Sequence, residues 1–155
     1  MTTPTLYDWI GGTEKLEALT ELLYLRVKTD DLIGPVFAEM DADHPRHVAA
    51  FIGEVFGGPK TYSENHGGHP EMIRHHLARH LSEAQRRRWL SLLLDAYRDL
   101  GLPDDPEFAS ALVSYLEWGS RLAVINSQPG ARVPDNTPMP VWGWGVVGGP
   151  YVPKA

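Results

Sequence analysis

Histidine is crowded into one stretch of this chain: His66, His69, His75, His76 and His80 all lie within residues 57–89, GGPKTYSENHGGHPEMIRHHLARHLSEAQRRRW, with His44 and His47 not far upstream. An imidazole can ligate a metal, move a proton near neutral pH, or satisfy a buried acceptor. Which of these is on offer depends on what surrounds each ring. Residues 71–80 contain no Pro or Gly, and a helix there places Met72, Ile73, His76, Leu77 and His80 along one side. His75 falls about 100° round that helix, away from Met72 and Ile73. His76 is therefore the imidazole set among apolar neighbours. Burying a polar ring costs free energy unless a hydrogen bond or a metal satisfies it, so His76 is either a core histidine bonded to the backbone or a metal ligand.

Composition narrows the metal chemistry. The chain has 155 residues, 43% of them apolar, which is enough for one domain with a real core. It contains no cysteine, which rules out disulfides, thiolate-ligated haem, cysteine-held iron-sulfur clusters and thiolate zinc sites. Any metal must be held by histidine, carboxylate or tyrosine. A formal charge of -6 argues against a nucleic-acid partner, because that affinity comes from lysine and arginine displacing counterions. The basic run Arg86, Arg87 and Arg88 is expected on a solvated helix face. No apolar run is long enough for a membrane span and no leader pattern opens the chain, so a cytoplasmic location is expected.

The elements that must position His76 can be read in order. Residues 6–10 are a short apolar opening closed by Gly11 and Gly12, after which Thr13 is expected to cap a helix reaching about residue 29. Its inner face is Leu16, Leu19, Leu23 and Val27, with Tyr24 at the edge. Gly34 and Pro35 make a corner that projects Val36 and Phe37 inward. Asp43 or His44 then caps a helix with Pro45 in its first turn and Val48, Phe51, Ile52 and Val55 as its apolar stripe; His47 lies beside the stripe and His44 one turn before Val48. Gly57, Gly58 and Pro59 end that helix, and the polar run to Pro70 reads as a loop.

Ser82 and Gln85 form a capping-box pair that opens a long helix carrying Trp89, Leu93, Ala96, Tyr97 and Leu100 on one face. Asp105 and Pro106 open another, with Phe108, Leu112, Tyr115, Leu116, Gly119, Leu122 and Ala123 inside, where Gly119 suits a close helix contact. No useful strand pattern occurs before residue 128, so residues 1–128 read as an all-α domain of five or six helices. Residues 129–155, PGARVPDNTPMPVWGWGVVGGPYVPKA, form a Pro/Gly/Trp-rich C-terminal extension that is either docked through Trp142 and Trp144 or disordered.

The arrangement over roughly residues 5–128 resembles a truncated haemoglobin, and within that family its group II branch. The resemblance is carried by Gly11-Gly12, by Leu23-Tyr24 followed by Val27 and Asp30, by Phe37, by FIGEVFGGPKTYSE at 51–64, and by Gly68-His69-Pro70. It continues through the histidine helix, Trp89 thirteen positions after His76, and YLEWGSRLAVINS at 115–127. It implies a two-over-two helical sandwich around haem b with His76 as the proximal iron ligand. Tyr24 would be the distal tyrosine, Phe37 the aromatic wedge against the haem, and His44, His47 and Val48 the distal-helix residues. Phe51, Tyr62, Met72, Ile73, His75 and Arg79 would complete the haem pocket. Tyr24, Trp89 and His44 would stabilise oxygen or another diatomic ligand.

Several residues depart from the usual group II pattern. His75 stands where arginine is common, which shifts propionate pairing to His47, Arg74 or Arg79; Phe37 stands where tyrosine is common and His44 where a small residue is common. Donors at Tyr24 and Trp89 imply slow oxygen release, suited to redox chemistry or detoxification of nitric oxide or peroxide. The chain has no dinucleotide fingerprint, so nitric oxide dioxygenation would need a separate reductase. A monomer or homodimer is expected. Two other functions compete: a zinc or non-haem iron hydrolase built on His66, His69, His76 and His80, and a helical interaction module with no cofactor. The first has the i, i+4 spacing of zinc helices but no glutamate after His76.

Overall fold

In a computed structural model the described residues are 3–134 and 137–145; the expectation about the tail also falls on 135–136 and 146–155, which lie outside them. Among the described residues the regular structure is all helical: α1 (Leu6–Ile10), α2 (Gly12–Val27), α3 (His44–Val55), α4 (Thr61–Asn65), α5 (Gly68–His76), α6 (Glu83–Asp99) and α7 (Pro106–Asn126), with a 3-10 turn at Gly34–Phe37. Helix α2 packs on both α3 and α6, and α6 on α7, so two helix pairs are layered on each other. None of these helices is long and apolar enough to cross a membrane.

The apolar stripes read from the sequence form the core. Leu16, Leu19, Leu23 and Val27 of α2 are buried against Val55 and Phe56, Leu93 and Ala96, and Phe108, Leu112 and Leu116. The capping box of Ser82 and Gln85 is formed, with Gln85 N–H donating to Ser82 Oγ at 3.1 Å and Ser82 N–H donating to Gln85 Oε1 at 2.9 Å. Asp105 caps α7 by accepting from Phe108 N–H at 3.1 Å. Its other oxygen accepts from Trp9 Nε1 at 2.9 Å, which ties α1 to the start of α7.

Several expectations are overturned. Helix α2 starts one residue before Thr13 and is preceded by Gly11 at φ 111°, a left-handed turn that glycine adopts without strain. Thr13 Oγ1 instead pairs with Tyr7 Oη at 2.6 Å. The run taken as a loop contains α4 and the first turn of α5. Gly58 there lets the chain pass flush against Tyr7, since a Cβ would sit 2.5 Å from the Tyr7 ring. Asp43 takes the cap position of α3 as expected, but its side chain makes no cap bond. Gly119 makes no close helix contact; the nearest atoms to a Cβ there belong to Tyr115 of its own helix. Leu100, expected on the inner face of α6, is 40% exposed.

Arg86 is not on a solvated face. Its side chain is 4% exposed, while Arg87 and Arg88 of the same run point outward. The guanidinium donates to Glu83, to Glu117 Oε2 at 3.0 Å and to Ser120 Oγ at 3.2 Å. A buried guanidinium is tolerable when several acceptors share its five N–H groups, and these acceptors come from both α6 and α7.

The histidine helix is the other departure. α5 ends at His76, and Leu77 turns into an extended conformation instead of continuing to His80. Ala78 and His80 have φ of 61° and 54°, a region that costs a non-glycine residue roughly 1 kcal/mol. The turn is held from outside: His80 N–H donates to Ser127 O at 2.9 Å, Leu81 N–H to Ser127 Oγ at 2.9 Å, and Gln128 Nε2 to Leu81 O at 2.9 Å. His80 itself is exposed.

Candidate cofactor-binding site

A cavity of about 350 Å³ lies between α2, α3, α5, α6 and α7. Every residue the resemblance assigned to the haem pocket lines it, whereas Arg74, His66 and His80 do not: Tyr24 comes from α2, Phe37 from the 3-10 turn, His44, His47, Val48 and Phe51 from α3, and Tyr62 from α4. Met72, Ile73, His75 and His76 of α5, Arg79 just beyond it, and Trp89 of α6 complete that set.

His76 sits at the last turn of α5, where helix carbonyls lack partners further along the chain. One of its ring nitrogens, Nδ1, lies 2.8 Å from Met72 O. A carbonyl can only accept, so Nδ1 carries the proton and Nε2 carries the lone pair. That is the tautomer a metal ligand needs, with the backbone carbonyl fixing ring orientation and raising basicity. Burial holds the His76 pKa down at about 4; the Met72 carbonyl opposes this, and His75, Arg79 and His69 add to it. The ring is neutral at physiological pH. His75, the rival ligand, is exposed, with Nε2 3.6 Å from Glu71 Oε1.

On another side of the cavity, Tyr24 is 3% exposed, and its hydroxyl oxygen accepts from Trp89 Nε1 at 3.3 Å. Burial raises the Tyr24 pKa, with the bond from Trp89 acting against it, so the phenol is neutral and keeps its proton to donate. The indole N–H is thus directed at Tyr24. His44 packs edge-on to Tyr24, ring centroids 4.7 Å apart, and 5.6 Å from Phe37. Its Nε2 is buried without a hydrogen-bond partner, alone in this among the described residues. Burial, with the neighbouring His75, His47, His76 and Arg79, lowers the His44 pKa to about 4.

The rim is less uniform. His47 stacks near His66 at 4.3 Å, Arg74 pairs with Glu71 at 2.9 Å, and Arg79 donates to the backbone oxygens of His75 at 3.0 Å and Val36 at 3.4 Å. Tyr62 is buried, its phenol pushed up to about 12 by burial and by Glu71. Among the described residues no group of three or more His, Asp or Glu is placed to hold a metal ion, so the tetrad of the hydrolase alternative is not assembled.

Sequence reasoning missed some of the lining. His69, read as a loop residue, belongs to α5 and reaches both the cavity and the backbone of Pro138. Tyr115 and Trp118 form part of the α7 wall. Tyr115 was legible as an inward residue of α7; His69 and Trp118 fall in runs that carried the resemblance, but no apolar stripe marks either as lining.

A largely apolar slot on which His76 carries a lone-pair nitrogen fits a haem, and an orphaned imidazole nitrogen among aromatic rings fits a bound group that would give it a partner. Residues 5–118 match the bacterial-like globin family. The chain belongs to the truncated, bacterial-like globins. This globin is 39% identical over 95 residues to the group 1 truncated hemoglobin GlbN of Nostoc sp. (strain MUN 8820), covering 56% of the chain and 80% of that protein. It is 32% identical over 117 residues to the group 2 truncated hemoglobin YjbI of Bacillus subtilis (strain 168), covering 76% and 86%. The truncated oxygen-avid haemoglobin of Bacillus subtilis superposes with a TM-score of 0.69 at 30% identity, over 78% of this chain and 99% of that one. Membership implies a haem cofactor and binding of a small ligand at it; the relatives come from both group 1 and group 2.

The two depressed imidazoles make the cofactor-free globin acid-sensitive. Their folded pKa values of about 4 lie below the ordinary 6.5, so the unfolded chain binds more protons between those limits. The contribution of these two rings is therefore constant above pH 6.5, is lost as pH drops, and is gone below pH 4. Each ring contributes about 2 kcal/mol of loss at pH 5. Urea unfolding of the cofactor-free protein at pH 7.5 and pH 5 checks this, and equal midpoints would contradict two neutral buried rings.

Proposed function

We propose that this truncated globin binds haem b through His76 and holds oxygen and other diatomic ligands beside Tyr24, Trp89 and His44, as a member of the group II branch. The observation that carries the reading is the bond from His76 Nδ1 to Met72 O, which leaves Nε2 as a lone-pair donor facing an apolar slot. Haem supplies the iron that binds the ligand reversibly; the protein supplies orientation, hydrogen-bond donors and exclusion of water. Phe37, Val48, Phe51, Met72 and Ile73 supply apolar packing to a porphyrin face, while Arg79 and His47 at the rim offer cations or donors to propionates.

Group II membership is supported by the Trp89 indole directed at the Tyr24 hydroxyl and by likeness to the Bacillus subtilis group 2 protein. A polar pocket of this kind favours slow ligand release, hence redox chemistry or detoxification of nitric oxide or peroxide over bulk delivery, with electrons from a separate reductase. His44 supplies the distal acid-base group that peroxide chemistry requires.

Absorption spectra of the purified protein test the reading. Ferric, ferrous and carbonyl forms are expected to show an intense Soret band in the range of about 400 to 430 nm, typical of histidine-ligated haem. A protein that takes up no haem on reconstitution ends the proposal.

A further inference from the structure

The helix that carries His76 is weakly anchored by its own side chains. Of its nine residues only Gly68 and Ile73 are buried, and it ends in the left-handed turn described above. It is instead held at both ends by chain that follows it in sequence. Ser127, at the end of α7, holds the exit of α5 through His80 and Leu81. At its start, His69 Nδ1–H donates to Pro138 O, 3.1 Å away, in the C-terminal segment.

That segment is fastened elsewhere as well. Trp142 N–H donates to Val55 O at 2.8 Å, and the Trp142 ring lies against Tyr115 and Trp118 with centroids 5.6 and 5.5 Å apart. His69, Tyr115 and Trp118 all line the cavity. Further on, Trp144 Nε1 donates to Pro4 O at 2.7 Å and its ring meets Trp9 and Phe108, which do not line it. One segment thus makes two separable attachments, the first to the cavity wall and the second to the amino-terminal corner.

We propose that residues 137–142 form an outer wall of the haem slot, tying α5 to α3 and α7 through Pro138 and Trp142, and thereby set how fast haem leaves. The inference rests on the haem-binding reading above. A cofactor in a slot escapes through local opening, and α5, which carries the proposed iron ligand and buries only two of its nine residues, is an element whose opening would release it. Trp142 contributes aromatic contact to the fixed side of that wall, and Pro138 contributes an acceptor to the mobile side.

The test is transfer of haem from the ferric protein to excess apomyoglobin, followed by absorbance, for the parent, Trp142→Ala, a chain ending at Gln128, and Trp144→Ala. Circular dichroism of each checks that the helical body is intact. Trp142→Ala and the shortened chain are expected to lose haem about tenfold faster or more, and Trp144→Ala within about twofold of the parent. Parental rates in Trp142→Ala overturn the inference. So does equal acceleration by Trp144→Ala, which would mean that docking merely stabilises the body. If the shortened chain does not fold, the two point variants decide alone. A parent protein that never takes up haem defeats the functional reading, and this one with it; a parent that holds haem while Trp142→Ala releases it no faster defeats this one only.

Discussion

Replacing His76 by alanine is expected to abolish stable haem retention, weakening it by more than about 100-fold, beyond the range attributed to changes in the groups that merely orient a metal ligand. The reason is geometric. In the cavity wall His76 pairs a backbone acceptor on Nδ1 with a free lone pair on Nε2; His69 has a similar pairing, but its acceptor is in the C-terminal segment and its ring is more exposed. His75 reaches the cavity's edge but is mostly exposed beside Glu71, so His75→Ala should alter retention by no more than about threefold, as expected of a surface change. Titrating haemin into each cofactor-free variant and following the Soret band reads both. Tight binding by His76→Ala would remove the proximal assignment, and a large loss in His75→Ala would transfer it.

The second large effect concerns ligand release. A hydrogen bond to a group bearing partial charge contributes about 1.5 to 3 kcal/mol, so Tyr24→Phe should raise the oxygen dissociation rate constant roughly 10- to 150-fold. Trp89 is expected to act largely through Tyr24, because its Nε1–H is already directed at the tyrosine oxygen. Trp89→Phe should therefore have the smaller effect, about tenfold or less, and the double variant should resemble Tyr24→Phe alone, the non-additivity expected of groups in one network. Stopped-flow displacement of oxygen measures all three. Independent, additive effects would show that both donors reach the ligand separately, and an unchanged rate in Tyr24→Phe would place the hydroxyl away from it.

How much of this was legible before any coordinates depends on whether a feature is periodic. The stripes Leu16, Leu19, Leu23, Val27 and Val48, Phe51, Ile52, Val55 repeat at helical spacing, and a helix in water buries such a stripe. Caps such as Ser82 with Gln85 and Asp105 with Pro106 act within one turn, so their partners are adjacent in sequence. The same locality made His76 stand out, since its apolar neighbours lie one turn away.

Features set by distant partners were not legible. Residues 77–80 have no Pro or Gly to stop α5; the chain leaves the helix there and is held by Ser127, far along the chain, which accepts hydrogen bonds from the amides of His80 and Leu81. Arg86 reads as one of three equivalent surface arginines until Glu117 and Ser120 come across from α7 to receive it. His69 reads as a loop residue until the tail brings a carbonyl to its ring.

The sequence by itself thus determined the helical body, the apolar faces and which imidazole lies among oily neighbours, because each is decided by residues within one or two turns of one another. Tertiary structure alone decided that Trp89 points at Tyr24, that His44 Nε2 is left buried without a partner, and that the tail closes on α5. Those outcomes depend on where hydrogen-bond donors and acceptors from separate elements meet, and side-chain directionality at such meetings has no sequence period.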